Sequence, residues 1–156
     1  MNYKKISIDF HGVLNVAPQY FKKFMDAALA DGTLVYVVSG GPRADIEHFL
    51  RYHEMSYTTL WCIIDEPEIN AQTHFFADGS FRVDDNLWDK AKAEFCRDEK
   101  IGLHIDDSLV YGKFFTTGYC IYNHNKKIFY VEDKIFSAQL APQNLLKKLM
   151  PFYKEN

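Results

Sequence analysis

"KISIDFHGVLNVAPQYFKKFMDAALADGTLVYVVSG", residues 5–40, reads as strand, helix and strand in succession. Ile6 and Ile8 make residues 4–8 a short buried strand, because β-branched side chains suit a pleated surface and turn chemistry begins after Phe10. Pro18 fits the first turn of a helix, where its missing N–H is no loss. Phe21, Phe24, Met25, Ala28 and Leu29 then recur at three and four residues, and Gly32 can end that helix. "TLVYVVSG", 33–40, is a continuous β-rich run of strand length, the pattern of a strand covered on both faces.

Beyond it, Pro42 opens a second helix carrying Ile46, Phe49 and Leu50 as far as residue 52, and "TLWCII", 59–64, reads as a third buried strand. In "THFFADGSFRV" the Asp78-Gly79 pair sits between aromatic-rich arms, which predicts a hairpin: a small flap rather than a separate domain. A helix from Asn86 to Asp98 leads into "IGLHI", a fourth strand, and "YCIYN" at 119–123 is a fifth. The tail "APQNLLKKLMPFYKEN" starts as an amphipathic helix that Pro151 ends or kinks. Alternation of this kind predicts a parallel α/β sheet with helices on both faces, in one domain spanning 1–156.

Composition sets the class. The chain is 47% hydrophobic and 25% charged, with 13 Phe and 10 Tyr, which supplies ample apolar volume for one core. A formal charge of -3 with both signs interleaved offers no extended nucleic-acid surface. Cys62, Cys96 and Cys120 lie far apart in apolar stretches, so neither a metal knuckle nor a disulfide framework is expected; they read as small core residues. No apolar run reaches the roughly 18 residues that span a bilayer, and "MNYKKISIDF" has no long apolar segment ahead of the first strand. The expectation is a cytoplasmic protein.

In a parallel sheet, chemistry gathers beyond the carboxyl ends of the strands. Asp9 falls there after the first strand, Ser39 and Gly40 after the second, and Asp106 and Asp107 after "IGLHI", with a lysine on the helix before that strand. Two adjacent acids at the end of a buried strand require either exposure or a cation, since burying unpaired carboxylates is costly. Taken alone, "SGG" could equally be a loop in which Ser39 caps the next helix. On helical spacing Lys92 shares a face with Trp88, Phe95 and Cys96, whereas Lys90 lines up with Asn86, Glu94 and Arg97. Lys92 is therefore the expected site lysine, and Lys90 the alternative.

"IDFHGVL", "VYVVSG", the lysine of "DKAKAEFC" and "LHIDDS" appear in the order of the four motifs of the haloacid dehalogenase-like superfamily, which residues 4–110 resemble. The run "KAEFCRDEKIGLHIDDS" is similar to the branch containing 5'(3')-deoxyribonucleotidase-like phosphatases. The resemblance implies a Rossmann-like fold without a large cap, the interval of about 30 residues from Asp9 to Ser39 leaving no room for one. It also implies that Asp9 attacks phosphorus to form an aspartyl-phosphate. Mg2+ would be held by Asp9, Asp107 and the backbone carbonyl of His11, with Asp106 holding coordinated water. Ser39, Gly40 and Lys92 would bind the phosphate. "DGTL", 31–34, copies the tail of the first motif but lacks a preceding strand, and reads as a helix terminus.

The departure is His11, where hydrolytic members carry an aspartate that serves as acid and base. Imidazole can do the same work, its ordinary pKa of about 6.5 lying near operating pH. It also removes an anion from beside the metal. Two functions follow as expectations: a Mg2+-dependent phosphomonoester phosphatase with a phosphorylated small-molecule substrate, nucleotides among the candidates, or a catalytically weak or inactive member that binds a phosphorylated ligand or partner. The other histidines, His104 inside a strand and His48 and His53 near a helix, are not spaced as a zinc pair and read as structural or surface residues.

Overall fold

In the computed structural model, which describes residues 3–155, β1 (Lys5–Asp9) lies at the centre of a seven-stranded sheet. Met1 and Asn2 of the opening stretch and Asn156 of the tail lie outside the described residues. The chain leaves β1 through a turn over Phe10–Leu14, then forms α1 (Pro18–Ala30) with Pro18 in its first turn. Gly32, at φ +80°, reverses it into β2 (Leu34–Ser39), parallel to β1 with Ile6 opposite Val35. α2 (Arg43–Tyr52) returns the chain to β3 (Thr59–Cys62), parallel to β2.

The expected third strand ends two residues early. Ile63 and Ile64 turn off in a 3-10 turn, and the Ile64 N–H donates to the Gly40 carbonyl instead of extending the ladder. A short α3 (Pro67–Ala71) precedes the hairpin of β4 (His74–Phe75) and β5 (Phe81–Arg82), which forms a sheet of its own. Its turn places Gly79 at φ +89°, with the Asp78 carboxylate accepting from the Ser80 N–H and hydroxyl. Asp84 caps α4 (Asp85–Asp98) by accepting from the N–H groups of Asn86 and Leu87. β6 (Leu103–Asp106) then pairs with the far side of β1, and β7 (Gly118–Asn123) with β6, both parallel.

Two strands exceed the expectation and correct the wholly parallel sheet. β8 (Ile128–Val131) and β9 (Lys134–Ser137) extend the sheet antiparallel, giving the order β3-β2-β1-β6-β7-β8-β9. The connections 124–127 and 132–133 are too short for a parallel crossover, so only hairpins can form. Lys127 and Glu132, at φ 53° and 54°, make those turns. α5 (Pro142–Leu149) packs on α1, and Pro151 sits in the 3-10 turn that follows.

The sheet is mostly parallel and helices flank both faces, a Rossmann-like arrangement. Alternation along the strands sorts the side chains. Ile6, Ile8, Val35, Val37, Leu103 and Ile105 enter the main core with residues of α1, α2 and α5, while Tyr36 and Val38 pack with Cys96 and Phe95 of α4 on the opposite face. Cys62, Cys96 and Cys120 are free and buried. No helix among the described residues is long and apolar enough to cross a membrane. For the site, the decisive feature is strand order: β2 and β3 step away from β1 on one side, β6 and β7 on the other. A crevice therefore opens between β1 and β6 at their carboxyl ends.

Candidate functional site

Asp9 ends β1, Asp106 ends β6, and strand alternation turns both toward α4. Lys92 reaches down from that helix. Its Nζ lies 2.7 Å from Asp9 Oδ1 and 3.1 Å from Asp106 Oδ2, and only 5% of the residue is exposed. Lys90 instead pairs with Glu94 at 3.7 Å on the exposed face, which decides between the two lysines on geometry. α4 carries a row at four-residue spacing: Trp88 lies against Gly40, Lys92 against the two aspartates, and Cys96 within 3.4 Å of Ser7 Oγ.

Asp107 continues the acidic edge outward. It is exposed, and a carboxylate oxygen from each of Asp9, Asp106 and Asp107 lies within 4.8 Å of the others. The turn after β1 is shaped around it. His11 is extended and Gly12 adopts φ +82°, its N–H donating to Asn15 Oδ1 at 2.7 Å. A Cβ at Gly12 would overlap the Asp107 carboxylate. Gly12→Ala is thus expected to lose about 1–3 kcal/mol from left-handed strain and the displaced acid. Chemical denaturation would check it, and an unchanged midpoint would refute the close approach.

His11 stands exposed at the mouth, its ring edge-on to Phe10 with centroids 5.0 Å apart, and its Nδ1 is 3.5 Å from Ser39 Oγ. Ser39 is completely buried, and its Oγ accepts the Gly41 N–H at 3.3 Å. Its contacts thus tie it to His11 and to the loop beside the cavity. Gly40 lines that cavity, together with Asp9, His11, Lys92 and Asp107. What a side chain at Gly40 would strike is the Trp88 indole. The cavity holds about 490 Å3, closed on one edge by Phe81 and Arg82 of β5 and on another by Trp88, whose Nε1 donates to the Tyr111 hydroxyl at 2.8 Å. The Lys92 ammonium lies 5.2 Å from the Tyr111 ring centroid.

Charge in the site is unbalanced. Burial pushes Asp9 well above the ordinary carboxylate value, and Asp106 and Asp107 add to this, although Lys92 opposes it. Burial also works on Asp106, yet hydrogen bonding by His104 and the Lys92 charge hold it below the usual range. Lys92 would be lowered by burial, but Asp9 and Asp106 outweigh that and keep it charged. Burial and Asp106 raise Asp107. Burial and then Lys92 lower His11, which favours the neutral ring. One buried ammonium thus faces three carboxylates, and Asp106 holds its charge most firmly. The Asp9 bonds from the Phe10 N–H and from Lys92 both fall on Oδ1, and no buried side-chain polar atom among the described residues lacks a partner. Asp9 itself lines the cavity.

Several residues of the site escaped the sequence reading. Trp88 and Tyr111 were legible only as aromatics, and their meeting across the cavity joins α4 to the turn after β6. His104, read as a structural or surface histidine, is fully buried with Nε2 2.8 Å from Asp106 Oδ2 and Nδ1 2.6 Å from Ser7 Oγ. The signal lay in the paired "SID" and "HID" tripeptides, whose period of two puts four polar side chains on one sheet face. His48 is exposed and His53 packs on Phe49, both away from the site. No family model matches the chain, nor does any curated protein or solved structure.

Proposed function

We propose that the protein is a haloacid dehalogenase-like phosphatase that hydrolyses phosphomonoesters with Asp9 as the nucleophile and Mg2+ as its metal. The observation that carries this reading is Lys92 clamped between Asp9 and Asp106 at the switch point of the sheet, with Asp107 beside them and Asp9 lining the cavity.

The donor set suits a hard divalent cation. Three carboxylates with oxygens within 4.8 Å, opposed by one ammonium, leave excess negative charge that such an ion offsets, and oxygen ligands are what Mg2+ accepts. Asp9, Asp107 and the His11 carbonyl would hold it, with Asp106 acting through bound water. When bound, it neutralises the phosphate charge that Asp9 would otherwise repel.

Chemistry at the protein's own groups then follows. Asp9 Oδ2 forms a bond to phosphorus while the ester bond to the leaving oxygen breaks, and that oxygen takes a proton from the fraction of His11 that is protonated, its lowered pKa making the imidazolium a ready donor. The neutral His11 next takes a proton from water as it attacks phosphorus, which releases phosphate and returns Asp9 as a carboxylate. Lys92 offsets negative charge at the nucleophile throughout, and Ser39 keeps the His11 ring turned toward the mouth. The hairpin of β4 and β5 serves as a small flap. A cavity of about 490 Å3 suits a small phosphomonoester whose leaving group lies against Phe81 and Trp88, and nucleotides are one such class.

The test is phosphate release from a panel of phosphomonoesters with Mg2+, with and without a chelator, against an Asp9→Asn control. Release above that control, abolished by the chelator, is expected. Release no greater than the control would overturn the reading. Calorimetric binding of inorganic phosphate without turnover, unaffected by His11→Ala, would then mark a phosphate-binding protein.

A further inference from the structure

Ser7 and Asp9 on β1 stand beside His104 and Asp106 on β6, with Ser7 directly opposite His104 in register. All four point to the face that α4 covers, where Cys96 approaches Ser7 and Lys92 approaches the aspartates. The result is an unbroken polar chain in a dry layer: Ser7, Asp9, Lys92, His104 and Asp106 are each at most 5% exposed.

For a neutral His104 the hydrogens have one consistent arrangement. Asp106 Oδ2 faces the Lys92 ammonium at 3.1 Å and His104 Nε2 at 2.8 Å, while Oδ1 accepts the Ser108 N–H at 3.1 Å. A carboxylate meeting three donors requires the His104 proton to sit on Nε2. Nδ1 then carries the lone pair and accepts from the Ser7 hydroxyl at 2.6 Å. With its only hydrogen given to His104, Ser7 Oγ is left to accept from the Cys96 thiol at 3.4 Å. Burial keeps that thiol protonated, its pKa pushed up to about 12. Phe115 stacks on the imidazole, centroids 4.8 Å apart and planes 8° from parallel, which fixes the ring's orientation.

We infer that His104 is a positioning residue: as the neutral Nε2–H tautomer set by Ser7, it orients the Asp106 carboxylate so that Asp106 and Asp9 together grip Lys92. Any buried imidazole needs a partner on each nitrogen; what singles out His104 is that one of its two partners is the carboxylate that holds Lys92. The catalytic consequence rests on the phosphatase reading, whereas the proton arrangement and its effect on the acidic cluster do not.

The experiment uses the full chain in three forms: wild type, His104→Gln and His104→Leu. Gln can keep an N–H directed at Asp106; Leu fills the volume without a donor. Side-chain 15N NMR of the chelator-treated wild type is expected to show a neutral His104 with its proton on Nε2. By calorimetry, His104→Leu is expected to weaken Mg2+ binding about 10–100-fold, as loss of a hydrogen-bond partner behind a metal site does, with His104→Gln within about 5-fold of wild type. On a phosphomonoester, the Leu variant should lower kcat by about 10–100-fold with KM changed less than about 3-fold, and Gln should restore most of it. A proton on Nδ1, or a folded Leu variant with wild-type Mg2+ affinity, overturns the inference. If Leu fails to fold, the tautomer together with Gln's Mg2+ affinity decides it. Absence of turnover in a wild type that shows the Nε2 proton, with the Gln and Leu Mg2+ affinities as expected, removes the phosphatase reading and upholds the positioning.

Discussion

Replacing Lys92 with methionine is expected to destabilise the protein by about 3–5 kcal/mol, because it removes one partner of a buried ion cluster and leaves the others uncompensated. For a chain of this length that is roughly 10 °C in Tm. The side chain is nearly enclosed, so the loss is not softened by solvent as it would be at Lys90, where the same change should be within about 0.5 kcal/mol. Two further outcomes identify the cause as charge rather than packing. Without the ammonium, Asp9 titrates still further above its unfolded value, so its ionised carboxylate opposes folding above that value. The deficit should therefore shrink as pH falls from 7 toward 5. In the wild type Asp106 behaves oppositely: its lowered pKa gives stability that is present above the ordinary value of 3.8 and lost as pH falls below it. Mg2+ should also raise the Tm of the variant more than that of wild type. A variant with wild-type Tm would refute the buried clamp.

Asp9→Asn is expected to lower phosphate release by at least about 10⁴-fold, since an amide cannot form the acyl-phosphate and the remaining groups cannot supply a second nucleophile. Stability should move the other way. Asp9 is pushed up by burial and by two neighbouring carboxylates, so its charge at neutral pH is held at a cost. Asn retains an oxygen that accepts from Lys92 and from the Phe10 N–H while removing that charge. In chelator the variant should gain about 1 kcal/mol, or about 2–4 °C in Tm. Opposite signs for activity and stability separate a functional acid from a structural one. A stable variant that still turns over would exclude Asp9 as the nucleophile.

Much of this architecture could be read locally. Ile6 and Ile8, the aromatic stripe of α1 and the run at 34–39 specify their elements through side-chain period, which needs no distant partner. The row of Trp88, Lys92 and Cys96 on one helical face also sufficed to favour Lys92 over Lys90. The carboxylates were visible because acids at the ends of buried strands are chemically conspicuous. β8 and β9 were legible in principle, for "IFYV" at 128–131 and "KIFS" at 134–137 carry the β-branched and aromatic residues of short strands. Their antiparallel direction follows from connection length, which the reading of 119–123 as a last strand left aside.

What sequence alone determined, then, was the alternation of the main strands and helices as far as residue 123, and which acids and lysine come together at the strand ends, because periodicity and residue chemistry act over a few positions. Only the tertiary structure decided that Ser7 meets His104 across 97 positions, that Ser39 turns inward to His11, that Trp88 covers Gly40, and that Gly12 makes room for Asp107. Each depends on strand register and on the height at which α4 lies over the sheet. Both are set by how the whole core packs, and no local pattern encodes them.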